Sequence, residues 1–275
     1  MSIPRTVKVT CPKCKSKYDA TIFDSINTDF SPDVAESIMS GKRFRVKCPS
    51  CGYNSKLEYD VLYHDLKHNA MIWVVHPNSK DYNDRVLKIR FAPSFSDITR
   101  IVSSINELRE KVACLESGVD DRIVEICKLF LKVKLSIETP DFITEKSYYA
   151  YSNGNRIVYF YNASGEEKYC YLNNELYAAM SDANKDDFHD NNSPRFQIID
   201  EEWATQNYGE LIKNAFNIRN THPDDNQANS TTSPSPVTST QIDPPPVSFC
   251  RKCGARLLSD SLFCSYCGTK VLFPK

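Results

Sequence analysis

Eight of the eleven cysteines fall into four Cys-x-x-Cys pairs, and this spacing is the most chemically specific feature of the chain. Cys11-Pro12-Lys13-Cys14 and Cys48-Pro49-Ser50-Cys51-Gly52 are separated by 33 residues, and Cys250/Cys253 and Cys264/Cys267 form a tighter set near the other end. A Cys-x-x-Cys turn lets both sulfurs of one hook reach a single ion while backbone N–H groups donate to them. Two such hooks supply the four thiolates that tetrahedral zinc prefers. The expectation is therefore two zinc ions, one held by Cys11, Cys14, Cys48 and Cys51 and the other by Cys250, Cys253, Cys264 and Cys267. Iron in a rubredoxin-like site is the competing metal, since four thiolates also hold it. Free redox thiols are the reading without a metal. Four protein ligands fill the coordination sphere, so both sites are expected to be structural rather than catalytic.

Each hook is expected to close in a tight turn, and Gly52, Gly254 and Gly268 follow the second cysteine, where such turns often need positive φ. Lys15 stands at that place in the first hook, which points to a strained or altered turn. Around this site lie Lys13, Lys15, Lys17, Arg43, Arg45 and Lys47. On a strand, Arg43, Arg45 and Lys47 would share one face and form a phosphate-binding stripe. Against this, residues 1–68 carry eleven basic and eight acidic side chains. A zinc tetrathiolate adds two further negative charges, so the lysines and arginines also serve simply to screen the cluster. His64 and His68 would form a second metal pair if they lay on one helix face; ordinary surface or hydrogen-bonded histidines are the plainer reading. Asp200-Glu201-Glu202 fits a helix start, where carboxylates cap N–H groups and meet the positive end of the dipole. No Ser, Cys or His stands in a recognisable nucleophile setting, and only 8 glycines are present, with no Gly-rich phosphate loop. No catalytic or cofactor-binding residue is assigned.

The elements that must position these residues read as α+β. Residues 6–23 alternate as two short strands joined by the first hook. Ser31-Pro32-Asp33 opens a helix with Ser31 as N-cap, carrying Val34 and Ile38 and stopping at Gly41. Arg43–Lys47 and Tyr53–Tyr59 then flank the second hook as strands. Ala70–Val75, Val86–Phe91 and Ile98–Val102 are short β-branched runs expected to be strands. Ser104-x-x-Glu107 is a capping box for a helix with Ile105, Leu108, Val112 and Leu115 inward. A second helix after Asp120 makes a helical hairpin over a small sheet. Tyr148–Tyr161 reads as a hairpin turning at Asn153-Gly154, a type I′ signal. Then come Glu167–Leu172, a helix at Asn174–Met180, a strand at Phe196–Ile199 and a helix capped by Asp200.

Four segments follow from this: a zinc-binding domain over 1–137, a small α+β module over 138–218, a Pro/Ser/Thr-rich flexible linker over 219–248, and a C-terminal zinc ribbon over 249–275. The linker holds six prolines and almost no large apolar side chains, so burial cannot offset its ordering entropy. Residues 138–218 carry six basic and fourteen acidic side chains, while the net charge of the chain is -1. That balance gives the whole chain no bulk attraction to nucleic acid or membrane. The absence of a long apolar run and of a signal-peptide core leads to a cytoplasmic, reducing setting as the expectation, consistent with metal-binding thiols.

The first segment resembles the prokaryotic CpXC domain. The resemblance rests on Cys11-Pro12-Lys13-Cys14, Asp24-Ser25-Ile26-Asn27, Gly41, Cys48-Pro49-Ser50-Cys51-Gly52, Leu62-Tyr63-His64-Asp65, Arg100–Leu108 and Asp120-Asp121-Arg122, in that order over residues 5–135. It implies a metal-binding domain containing a ribbon, of a family whose function is uncharacterised. Phe249-Cys250-Arg251-Lys252-Cys253-Gly254 with Phe263-Cys264-Ser265-Tyr266-Cys267-Gly268 is similar to the short zinc-ribbon tails of many bacterial proteins. The function expected is a zinc-binding, non-enzymatic interaction or adaptor protein with protein partners. Nucleic-acid binding through Arg43, Arg45 and Lys47 is the alternative.

Overall fold

A computed structural model describes residues 2–28, 33–184, 188, 195–220, 248–249 and 256–257. Two compact units are present, Met1–Lys213 and Asn214–Lys275. The first is mixed α+β and is built on a five-stranded sheet of order β1-β2-β5-β6-β7. Its strands are β1 (Ile3–Thr10), β2 (Lys17–Asn27), β5 (Val61–Asp65), β6 (Ala70–Val74) and β7 (Ile98–Val102). Two neighbouring pairs, β2/β5 and β6/β7, are parallel; β1/β2 and β5/β6 are antiparallel. Between β2 and β5 the chain forms α1 (Val34–Met39), a one-turn 3-10 helix (Lys42–Phe44) and the hairpin β3 (Arg45–Lys47) with β4 (Asn54–Lys56).

The first hook does turn a pair of strands, but these reach further than the local alternation shows. Strand β2 continues to Asn27 and pairs in parallel with β5, Ser25 opposite Leu62 and Asn27 opposite His64. The first hairpin and the following strands thus belong to one sheet. Ser31 and Pro32 lie outside the described residues, and the N-cap of α1 is Asp33. Val34 and Ile38 are buried as their spacing requires.

Val86–Phe91 is not a strand. It lies in α2 (Tyr82–Arg90). Its β-branched residues invite a strand reading, but Tyr82, Val86 and Ile89 recur at helical spacing and pack together on Val75, Ile101 and Phe196. The Phe196–Ile199 segment makes only one isolated parallel bridge, Gln197 to Arg100, at the open edge of β7.

The capping box forms as read. Ser104 caps α3 (Ile105–Ser117) by accepting the Glu107 N–H, while Glu107 reaches back one residue further, to the N–H and hydroxyl of Ser103. Ile105, Leu108, Val112 and Leu115 are buried against Ile26, Tyr63, Ile72 and Val74 of the sheet. Gly118 ends the helix at φ 66. Helix α4 (Asp121–Glu138) follows with Asp120 as its cap.

A second, three-stranded sheet has the order β10-β9-β8, from β8 (Lys146–Ser152), β9 (Asn155–Tyr161) and β10 (Glu167–Tyr171). Asn153 and Gly154 both have positive φ, 51° and 78°, as the type I′ turn demands. Helix α5 (Asn174–Asn184) runs four residues beyond Met180, and α6 (Glu201–Asn220) starts where Asp200 accepts the Trp203 N–H. Cys114 and Cys127 are buried and Cys170 is half-buried. The second unit contributes a two-stranded antiparallel pair, β11 (Ser248–Phe249) with β12 (Arg256–Leu257). Among the described residues no helix is long and apolar enough to cross a membrane.

Between α3, α4 and β7 lies a feature that no motif announced. Six charged side chains are buried together: Arg100, Glu110, Lys111, Asp121, Glu125 and Lys128. Arg100 donates to both oxygens of Asp121 at 2.8 Å. The Lys111 ammonium meets Asp121 at 3.0 Å and Glu125 at 3.2 Å, and donates to the Ile199 carbonyl at 2.6 Å. Lys128 bridges Glu110 and Glu125, each at 2.9 Å. Glu110 also accepts the Tyr149 N–H at the edge of β8. Burial would raise the Asp121 pKa, but Arg100 and Lys111 hold it far below the usual carboxylate range. Burial would likewise depress Lys111 and Lys128, whereas their carboxylate neighbours raise both.

Removing one member leaves its partners buried with an uncompensated charge. Asp121→Ala is expected to destabilise the protein by about 3–5 kcal/mol. Lys8→Ala, which breaks the exposed Lys8–Asp19 pair, is expected to cost no more than about 1 kcal/mol. Urea unfolding of the two variants against the parent measures the difference, and equal losses would contradict it.

Candidate metal centre

The first two hooks come together at the far end of the five-stranded sheet. The first sits in the turn between β1 and β2, and the second in the turn between β3 and β4. The two turns have the same hydrogen bonds. Cys11 N–H donates to the Ser16 carbonyl at 2.9 Å, and Lys15 N–H returns to the Cys11 carbonyl at 2.9 Å. In the second turn Cys48 N–H donates to Tyr53 O at 2.8 Å, and Gly52 N–H returns to Cys48 O at 2.9 Å. Equal hydrogen bonding imposes equal backbone angles. Lys15 has φ 62° and Gly52 has φ 71°, so the lysine adopts the left-handed conformation that the glycine takes freely.

The four sulfurs of Cys11, Cys14, Cys48 and Cys51 lie within 4.8 Å of one another. Cys11 to Cys51 and Cys14 to Cys48 are each 3.6 Å. Sulfurs placed about 2.3 Å from a tetrahedral zinc would be about 3.8 Å apart, so the cluster has the size of a zinc tetrathiolate. Cys11 and Cys48 are buried beneath Tyr18 and Ala20, with Val7, Val9, Val46 and Leu57 packed around them; Cys14 and Cys51 face outward.

The electrostatics point the same way. The Ser16 hydroxyl stands 3.1 Å from Cys14 Sγ and 3.3 Å from Cys48 Sγ, and it lowers both pKa values, that of Cys48 to about 6. The Tyr53 N–H lowers Cys51 in the same manner, but burial and the crowding of the other three sulfurs push it up to about 12. Four like charges this close cannot all ionise unless a cation stands between them. The donor set therefore fits a thiophilic dication, with Ser16 as the outer group that orients two of the ligands.

The remaining sequence expectations separate. Cys250, Cys253, Cys264 and Cys267 lie outside the described residues, although β11 and β12 flank the Cys250/Cys253 hook in sequence. The stripe of Arg43, Arg45 and Lys47 is broken. Arg43 belongs to the 3-10 turn, with its guanidinium 4.0 Å over the Phe23 ring, and only Arg45 and Lys47 alternate on β3. His64 and His68 share no helix. His64 is on β5 with its Nδ1 3.5 Å from Asn27, on the face opposite Tyr63 and Asp65. His68 follows in the turn and bonds Asp65 at 2.8 Å. A second cluster emerges there, Asp65, His68 and Glu116, with ligand atoms within 4.8 Å of one another. Glu116 lies far along the chain from His68, at the end of α3, and no local spacing signals it.

Substituting the two equivalent turn residues should move stability in opposite directions. Gly52→Ala is expected to cost about 1–2 kcal/mol from its left-handed φ. A Cβ there would meet only the Lys47 side chain at 3.7 Å, so backbone conformation is the whole cost. Lys15→Gly relieves the same strain, and a net gain of about 0.5–1 kcal/mol remains after the entropy of glycine. Thermal unfolding of the metal-loaded variants tests this; a destabilising Lys15→Gly would refute it.

Comparison with known proteins agrees with the resemblance read from the motifs. The CpXC protein family matches residues 9–128, and the zinc-ribbon domain matches residues 249–271, which include the last four cysteines. No curated protein and no solved structure matches the chain. The chain carries a CpXC domain near its N-terminus and a zinc-ribbon domain near its C-terminus.

Proposed function

We propose that this is a cytoplasmic, non-enzymatic adaptor that binds two structural zinc ions. One is held by Cys11, Cys14, Cys48 and Cys51, the other by Cys250, Cys253, Cys264 and Cys267. The observation that carries the reading is the gathering of the first four sulfurs within 4.8 Å of one another, two pairs of them at 3.6 Å. A filled tetrahedron leaves no position for substrate, so the ion acts on structure. It ties the β1–β2 turn to the β3–β4 turn and fixes the hairpin that carries Arg45 and Lys47. The zinc-ribbon match over residues 249–271 supports the second site.

Between the two sites lies the proline-rich stretch 219–248. A ribbon on such a tether raises the local concentration of a bound partner without adding contacts. The partner is a protein in this reading. The nucleic-acid alternative is weakened by the seat of Arg43 against Phe23, which leaves Arg45 and Lys47 as the pair on β3.

Metal analysis by mass spectrometry of the full chain is expected to find about two zinc ions per molecule. Cys14→Ser and Cys250→Ser should each remove about one. Iron in place of zinc, or a stoichiometry of one, overturns the assignment. For the adaptor role, proteins captured by the full chain are compared with those captured by the Cys250→Ser/Cys253→Ser variant. Identical sets would remove the recruiting role of the tail. A steep loss of DNA or RNA binding with salt would instead favour the nucleic-acid alternative.

A further inference from the structure

The second cluster differs in kind from the four-sulfur site. We propose that Asp65, His68 and Glu116 form an additional binding site for a divalent first-row transition ion, with open coordination positions.

Three elements converge to build it. Asp65 ends β5 on the core face and is 1% exposed. Its carboxylate is fixed from all sides. Oδ2 accepts the Tyr63 hydroxyl at 2.8 Å, while Oδ1 accepts the His68 backbone N–H at 3.2 Å and the Thr28 hydroxyl at 3.4 Å. The turn after β5, closed by Asn69 at φ 48°, folds the His68 ring back over this carboxylate. Nδ1 of the ring lies 2.8 Å from Asp65 Oδ2 and 3.9 Å from Glu116 Oε1. Glu116 arrives from the last turn of α3, and its other oxygen accepts Lys67 Nζ at 3.0 Å.

The geometry is that of a site one adjustment from closure. Imidazole and carboxylate ligands at about 2.0–2.2 Å from a tetrahedral or octahedral ion stand about 2.8–3.6 Å apart. Asp65 and His68 are already at such a separation. Glu116 is partly exposed and needs a shift of about half an ångström, which a side-chain rotation provides. Two carboxylates, Asp65 and Glu116, face one neighbouring ammonium, Lys67.

One nitrogen and two oxygens select manganese, iron(II), cobalt or zinc over soft copper(I). Three protein ligands also leave room for water on the ion, which the four-sulfur centre does not. Tyr63 and Thr28 act as the outer groups that orient Asp65. The plainer alternative is a hydrogen-bonded Asp–His pair that holds the turn and binds nothing.

Lys67 separates the two. It competes with any cation for Glu116, so Lys67→Met is expected to tighten metal binding by about threefold to tenfold. A merely structural pair predicts no metal binding to tighten. The experiment titrates the full-length, zinc-loaded protein with Mn²⁺ and follows loss of the free-ion signal by electron paramagnetic resonance. One equivalent of Mn²⁺ beyond the zinc is expected. Glu116→Gln and His68→Gln, both at partly exposed positions, are expected to weaken it more than about tenfold, and Lys8→Ala, in the exposed Lys8–Asp19 pair, to leave it unchanged. No bound Mn²⁺ in the parent, or binding unaffected by the Glu116 and His68 variants, overturns the proposal.

Discussion

Charges cannot be taken out of water singly, and that constraint organises the first unit. Helix α4 turns Asp121, Glu125 and Lys128 inward at helical spacing, and α3 answers with Glu110 and Lys111. Arg100 enters from β7. Three basic and three acidic side chains face one another, each held by more than one partner, and burial pushes the Glu110 carboxyl up to about 8. Because these pairs are expensive to leave unmade, they fix the positions of whatever they touch. Glu110 takes the N–H of Tyr149 at the outer edge of β8, so α3 covers that edge of the second sheet. Lys111 takes the Ile199 carbonyl just before α6, and the Lys132–Glu201 pair holds the first turn of that helix. Strand β8 and the first turn of α6 are thus held on α3 and α4.

The metal centre obeys the same constraint at the other end of the sheet. Four thiolates within 4.8 Å of one another there need a cation between them. What the ion would clamp is clear from the connectivity. Strand β2 runs from the first knuckle through to its pairing with β5, so a fixed knuckle also fixes one end of the strand that joins the hairpin to the central sheet. Lys15 is retained in a left-handed turn because the hydrogen bonds of the knuckle, rather than the preference of the residue, decide the backbone.

Much of the architecture is legible because its signals are local. The capping box at Ser104, the Asn153-Gly154 turn and the Asp200 cap each satisfy nearby backbone groups, so residue type and spacing suffice. The helix at Tyr82–Arg90 escapes a local reading because β-branched residues prefer strands only weakly, and burial of Tyr82, Val86 and Ile89 on one side outweighs that preference. The Arg43 stripe fails because a single 3-10 turn rotates one side chain onto Phe23.

The sequence by itself determined the two knuckles at Cys11/Cys14 and Cys48/Cys51, since Cys-x-x-Cys fixes two ligands through one short turn whatever surrounds it. It also determined the starts of α3, α4 and α6 and the tight hairpin. Only the tertiary structure decided the rest. The pairing of β2 with β5, the six-charge interior and the meeting of Asp65 and His68 with Glu116 join residues far apart in the chain. Such partners carry no spacing rule. A buried lysine and an exposed one look alike until the fold places a carboxylate beside one of them.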